Sequence, residues 1–185
     1  MHKNIAVLEG DGIGPEIITE AIKVLQAIAN KYHHSFNYEY ALMGAVAIDK
    51  TGNPLPDKTL EICKSSDAVL FGAIGDPKYD NDPNAKVRPE QGLLALRKAF
   101  NLFCNVRPVT IYDSLIDSSP LKRNRIEGVD LVIYRELTGG IYFGEKKEIN
   151  DIGVASDLCT YSKNEILRVA HLAFKAAGKR KNKLT

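Results

Sequence analysis

The first thirty residues constrain the fold more than any other stretch. Ile5-Ala-Val-Leu8 is a short apolar run that leads into Gly10-Asp-Gly-Ile-Gly14. Pro15 then opens a helical pattern with Ile17, Ile18, Ala21, Ile22, Val24, Leu25, Ile28 and Ala29 on one face. Strand, tight turn and amphipathic helix follow in that order. Residues 36–42 read as a second strand, 57–64 as a short helix, and 68–71 as a third, fully buried strand before Gly72 and Gly75. This alternation predicts an α/β fold with a mostly parallel, twisted sheet flanked by helices.

Past residue 75 the organisation changes. Residues 76–90 are rich in Pro, Asp and Asn, a long irregular loop of the kind that carries function. Residues 92–100 form a short helix, 103–109 a strand that crosses to a second lobe, and 129–134 a strongly apolar strand before the turn at Thr138-Gly-Gly140. Ile141-Tyr-Phe143 and residues 154–161 bracket the charged segment 145–151, which suggests a protruding β-arm spanning about 141–161 and a dimer that exchanges it. Ser162 and Glu165 make a capping box for a last helix that Gly178 stops; its apolar face runs through Ile166, Leu167, Val169, Ala170, Ala173, Phe174 and Ala177. The expected division is residues 1–100 as a first α/β lobe and 101–185 as part of a second lobe that carries the arm.

Composition removes several function classes. A formal charge of +2 over 185 residues calls for neither nucleic acid nor a membrane surface as partner. No run approaches the roughly 20 apolar residues that span a bilayer, and the start lacks a signal-peptide pattern, so a cytoplasmic protein is expected. Cys63, Cys104 and Cys159 are odd in number and far apart, so buried reduced thiols are expected rather than disulfides or a metal site. None of the four histidines has ligand spacing.

The glycines after the first strand resemble a dinucleotide fingerprint, but the third falls two residues after the second and Pro15 follows. A structural corner and a cofactor contact both fit. The arginines make a better case, because a planar guanidinium grips a carboxylate through two parallel hydrogen bonds. Arg97 lies on the helix after the long loop, Arg107 at a strand end before Pro108, and Arg135 at the end of the apolar strand. Strand ends are where open α/β sheets gather ligands. Tyr142, read as a strand residue close to Arg135, could deliver a proton to a developing enolate, and Leu93 and Leu94 could wall an apolar pocket one turn before Arg97.

Taken together, Leu8-Glu-Gly-Asp-Gly-Ile-Gly-Pro-Glu16, Gly75-Asp-Pro-Lys-Tyr79, Pro89-Glu-Gln-Gly-Leu-Leu-Ala-Leu-Arg97, Asn105-Val-Arg107-Pro108, Arg135-Glu-Leu-Thr-Gly-Gly-Ile-Tyr-Phe-Gly-Glu145 and Tyr161-Ser-Lys163 resemble the N-terminal half of the isocitrate/isopropylmalate dehydrogenases, the β-decarboxylating family. The resemblance implies an isopropylmalate-dehydrogenase-like fold, incomplete over these residues. It implies NAD-dependent oxidative decarboxylation of (2R,3S)-3-isopropylmalate to 4-methyl-2-oxopentanoate, a step toward leucine, by a homodimer at full length. Arg97, Arg107 and Arg135 would hold the malate moiety, Tyr142 would be the proton donor, and Leu93 and Leu94 would meet the isopropyl group. Ile13, Asp76 and Glu90 match cofactor-proximal positions, and Asp76 stands where many relatives carry a second glycine.

The base lysine and the aspartates for Mg2+ or Mn2+ are expected beyond Thr185, with no metal ligands in this stretch, so these 185 residues alone should be inactive. Tartrate or homoisocitrate dehydrogenase, and a non-catalytic dicarboxylate-binding fragment, are the other readings.

Overall fold

The apolar run at residue 5 extends into a nine-residue strand, β1 (His2–Gly10), in the computed structural model, which describes residues 1–82 and 85–185. There follow α1 (Gly14–Tyr32), β2 (Ser35–Tyr40), α2 (Ala45–Thr51), α3 (Asp57–Ser65), β3 (Ala68–Ala73), α4 (Pro77–Asp80) and α5 (Pro89–Ala99). β1 is central in a parallel sheet of order β2-β1-β3. Its alternating side chains are buried on both faces: Ile5 and Val7 pack with Ile18 of α1, while Ala6 and Leu8 point the other way and are equally sealed. Burying each of the larger ones contributes about 2 kcal/mol. Met1–Ala99 form one compact unit and Phe100–Thr185 a second.

Three expectations need correction in the first unit. β3 lies at the sheet edge, so it is not fully buried, and Val69 is 37% exposed. α1 seats Ile18, Ile22, Leu25 and Ala29, an i, i+4, i+7, i+11 seam, and leaves Ile17, Val24 and Ile28 exposed because they lie off it. The 76–90 segment is not irregular throughout, since Asp76 caps α4 by accepting from the Lys78 N–H. Residues 83–84 of that loop lie outside the described residues.

The second unit contains β4 (Cys104–Thr110), a 3-10 turn at Asp113–Ser118, α6 (Arg123–Ile126), β5 (Asp130–Glu136), a 3-10 turn at Gly140–Tyr142, β6 (Lys146–Lys147), β7 (Ser156–Asp157) and α7 (Lys163–Gly178). β4 and β5 are antiparallel along their whole length, and β6 and β7 form the ladder of a hairpin arm. α7 packs against β5 and opens with the expected capping box.

Ile141-Tyr-Phe143 is not an arm strand; the left-handed Gly140 turns it into a 3-10 helix, so Tyr142 is not a strand residue. β4 runs on through Pro108, which places Arg107 mid-strand rather than at its end. Gly178 is the last helical residue and is not left-handed. Of the apolar residues on α7, Ile166, Leu167, Leu172 and Phe174 are exposed. Cys63 is buried as expected, but Cys104 is half-buried and Cys159 exposed. Burial pushes the Cys63 thiol up, and burial together with the Glu136 charge does the same to Cys104, so neither is poised as a thiolate.

Candidate functional site

In the second unit the β4–β5 register decides which side chains share a face. Asn105 pairs with Arg135 and Arg107 with Ile133, so Arg107 and Arg135 are diagonal neighbours on one side, roughly 7 Å apart at Cβ. That side is open: Leu131 and Ile133 are about half exposed on it. The opposite side of β5 turns toward α7, where Glu136 meets Arg168 and Asp130 meets Arg180. Arg107 receives only support from Asn105, at 3.4 Å, and among the described residues neither Arg107 nor Arg135 forms an ion pair. Two unneutralised guanidiniums so placed repel each other until an anion arrives.

Tyr142 comes back over Arg135 from seven residues along the chain. The guanidinium donates to the Tyr142 hydroxyl at 3.0 Å and lies 5.5 Å from the ring centroid. Because the phenolic oxygen accepts, its own O–H is free to donate elsewhere. Arg135, Glu136, Ile141, Tyr142, Tyr161, Ile166 and Val169 line a cleft of about 350 Å³. A larger groove of about 690 Å³ beside β5 and residues 180–185 contains none of the nominated site residues.

The turn between Arg135 and Tyr142 is held from beneath. Glu136, one residue on and facing the other way, is 8% exposed and accepts from the Thr138 and Gly139 N–H groups at 2.9 and 2.7 Å, from the Thr138 hydroxyl at 3.1 Å, and from Arg168. Gly140, at φ +72°, lies so close to the Tyr161 hydroxyl that a Cβ would stand 2.3 Å from it. No side chain but hydrogen fits there without the tyrosine moving.

In the first unit the remaining candidates form a stripe. Glu90, Leu93, Leu94 and Arg97 recur at i, i+3, i+4 and i+7 on α5, while Pro89, Gly92 and Leu96 are its buried residues. Leu93, Leu94 and Arg97 are half-buried, and Glu90 in the first turn and Arg97 in the last suit the helix dipole. At the N-terminal end of the stripe, Glu90 Oε1 stands 3.2 Å from the point a Gly75 Cβ would occupy.

The carboxyl ends of β1 and β3 meet α2 around one acid. Asp11, 5% exposed, accepts from the N–H groups of Ala45 at 2.8 Å, Val46 at 3.0 Å and Gly75 at 3.0 Å. Ile13 is exposed on the same turn, beside Gly12, where a Cβ would meet nothing within 4 Å. Ile13, Asp76 and Glu90 thus border one backbone platform.

Among the described residues no group of three or more His, Cys, Asp or Glu could hold a metal ion. Asp11, Asn105, Glu136, Thr138 and Arg168 escaped the sequence reading. An acid between two glycines, and an acid two residues before Thr-Gly-Gly, were the available signals.

The profile described as isocitrate/isopropylmalate dehydrogenase matches residues 4–185. The chain is 54% identical over 185 residues to a 3-isopropylmalate dehydrogenase of Bacteroides fragilis, covering 100% of this chain and 52% of that protein. It is 52% identical over 188 residues to the 3-isopropylmalate dehydrogenase of Halalkalibacterium halodurans, with coverage of 100% and 52%. The fold matches a crystal structure of isocitrate dehydrogenase from Methylococcus capsulatus at a TM-score of 0.76 and 28% identity, over 97% of this chain and 48% of that one. The chain spans about half the length of the curated relatives it matches.

Proposed function

The chain belongs to the isocitrate/isopropylmalate dehydrogenase family, and from that premise we propose that it supplies part of the catalytic apparatus of an oxidoreductase of leucine biosynthesis acting on 3-isopropylmalate. The supporting observation is the hydrogen bond from Arg135 to the Tyr142 hydroxyl, on the same open face as Arg107. Arg107 and Arg135 take a carboxylate of the malate through charge-assisted bonds, and the family resemblance assigns Arg97 to the same malate moiety. The O–H that Tyr142 keeps free gives its proton to the carbon that has lost CO2. Leu93 and Leu94 cover the isopropyl group; a carboxylate or hydroxyl at that position would be left without a partner, which argues against tartrate and homoisocitrate.

A bound NAD supplies the hydride acceptor. Ile13, Asp76 and Glu90 would border its nicotinamide end. No cluster of three or more His, Cys, Asp or Glu among the described residues could by itself hold a metal ion. No helix among the described residues is long and apolar enough to cross a membrane; the reading makes the complete enzyme a cytoplasmic homodimer.

The test is NAD reduction by the complete protein with 3-isopropylmalate, tartrate and homoisocitrate. The expected kcat/KM is highest for isopropylmalate, and Leu94→Ser narrows its lead by about tenfold or more. An unchanged ratio among the three substrates would overturn the pocket assignment.

A further inference from the structure

Arg168 lines neither the open face nor the cleft, yet it holds the turn that joins them. From the second turn of α7 its guanidinium donates to Glu136 and, at 2.5 Å, to the Thr138 hydroxyl. It donates at 3.0 Å to Asn101 Oδ1 and lies 4.9 Å over the Phe103 ring. Its Nε–H is buried without a partner among the described residues, a cost this position carries while the two terminal nitrogens are engaged. Glu136 is thereby clamped between one cation and two backbone N–H groups.

The consequence for the site follows from strand geometry. Arg135 and Glu136 are consecutive on β5, so their side chains leave opposite faces. Fixing Glu136 fixes the rotation of the strand end that aims Arg135. Glu136 also sets the start of the turn that carries the chain through Gly140 to Tyr142, while Leu137 N–H bonds to Phe103 O at 2.8 Å and Gly140 N–H to Thr160 O at 2.9 Å. The Tyr142 hydroxyl is then delivered to Arg135.

We infer that Arg168 is a positioning residue, whose bridge to Glu136 and Thr138 holds the Tyr142 hydroxyl against Arg135 for proton delivery. This rests on the proposed role of Tyr142. A lysine presents one ammonium where the fork of Arg168 reaches three acceptors, so Arg168→Lys should restore the charge but only part of the aim.

The experiment is a double-mutant cycle in the complete protein, with Tyr142→Phe, Arg168→Gln and both together, following NAD reduction with 3-isopropylmalate. Tyr142→Phe should lower kcat about a hundredfold. Arg168→Gln should lower it about thirtyfold with KM within about threefold, Arg168→Lys giving partial rescue. The double variant should be no slower than Tyr142→Phe alone, because the aim of a missing hydroxyl no longer matters.

Loss in both single variants that multiplies in the double would mean that Arg168 acts independently of the Tyr142 hydroxyl and would overturn the inference, as would an Arg168→Gln enzyme as fast as the parent. Full activity in Tyr142→Phe would sink the underlying reading and the inference with it, so the two failures are distinguishable. Should Arg168→Gln not fold, Thr138→Val removes the hydroxyl between the two charges, leaves both in place, and carries the same cycle.

Discussion

Each unit of this chain anchors its candidate site on a buried carboxylate, but the two acids are satisfied differently. Among the described residues the Asp11 carboxylate accepts from backbone alone: three N–H groups from two separate segments converge on it, one segment being the N-terminus of α2. Glu136 meets two backbone N–H groups, a hydroxyl and the half-buried guanidinium of Arg168. Backbone dipoles that converge on an acid are set by the fold around it, so Asp11 is inseparable from the topology of the parallel sheet. A side-chain cation can be exchanged or moved without unmaking a strand, so the Glu136 cluster tunes a turn in a fold that stands without it. The first arrangement builds a platform; the second aims two side chains.

The largest test of this contrast is Asp11→Ala. It orphans three N–H groups and should destabilise the first unit by about 4 kcal/mol, read from urea unfolding by circular dichroism. Loss of hydrogen-exchange protection should concentrate at Ala45, Val46 and Gly75. A loss under about 1 kcal/mol would show that water replaces the carboxylate readily and that it is no hub.

A sharper comparison uses two glycines with equal clearance. A Cβ at Gly44 would stand 2.3 Å from Asp11 Oδ2, and one at Gly140 2.3 Å from the Tyr161 hydroxyl, both at positive φ. The carboxylate is locked by its three bonds, whereas Tyr161 is 48% exposed and can swing aside. Gly44→Ala should therefore cost about 3 kcal/mol and Gly140→Ala about 1.5 kcal/mol, the second being chiefly backbone strain. Equal costs would refute the claim that the two anchors differ in stiffness.

The smallest effect concerns exposed acids, one in each unit. Asp49 is held below the usual carboxylate range by hydrogen bonds from Lys78 and Tyr79, and Asp130 by the hydrogen bond and charge of Arg180. With folded values below unfolded ones, their contribution is complete above about pH 4 and is withdrawn as pH falls through the folded values. Asp49→Asn and Asp130→Asn should each flatten the acid limb of a stability titration slightly and change nothing at pH 7 beyond the loss of that small term. An acid limb identical to that of the parent in both variants would assign acid unfolding to other groups.

How far the site could be read in advance follows from the range of the interactions involved. The 3.6-residue period of α5 placed Leu93, Leu94 and Arg97 on one stripe, and the capping box of Ser162 and Glu165 placed the start of α7, because both are local rules. The exposure of Ile17, Val24 and Val69 was illegible, since a three-stranded sheet covers only the seam that reaches it. The 3-10 turn under Tyr142 depends on Gly140 being left-handed against Tyr161, twenty-one residues later in the chain.

By itself the sequence determined the order of the longer strands and helices, though not the short helices α2, α4 and α6, together with the α/β class and the residue types able to grip a dicarboxylate, because period, capping and side-chain chemistry act within a few residues. Only the tertiary structure decided that Arg107 and Arg135 share a face and that Tyr142 returns to Arg135. It alone decided that Asp11 and Glu136 are anchors rather than surface acids. Those outcomes depend on strand register and on hydrogen bonds closed over as many as sixty-four residues, as between Asp11 and Gly75, and no local rule reaches that far.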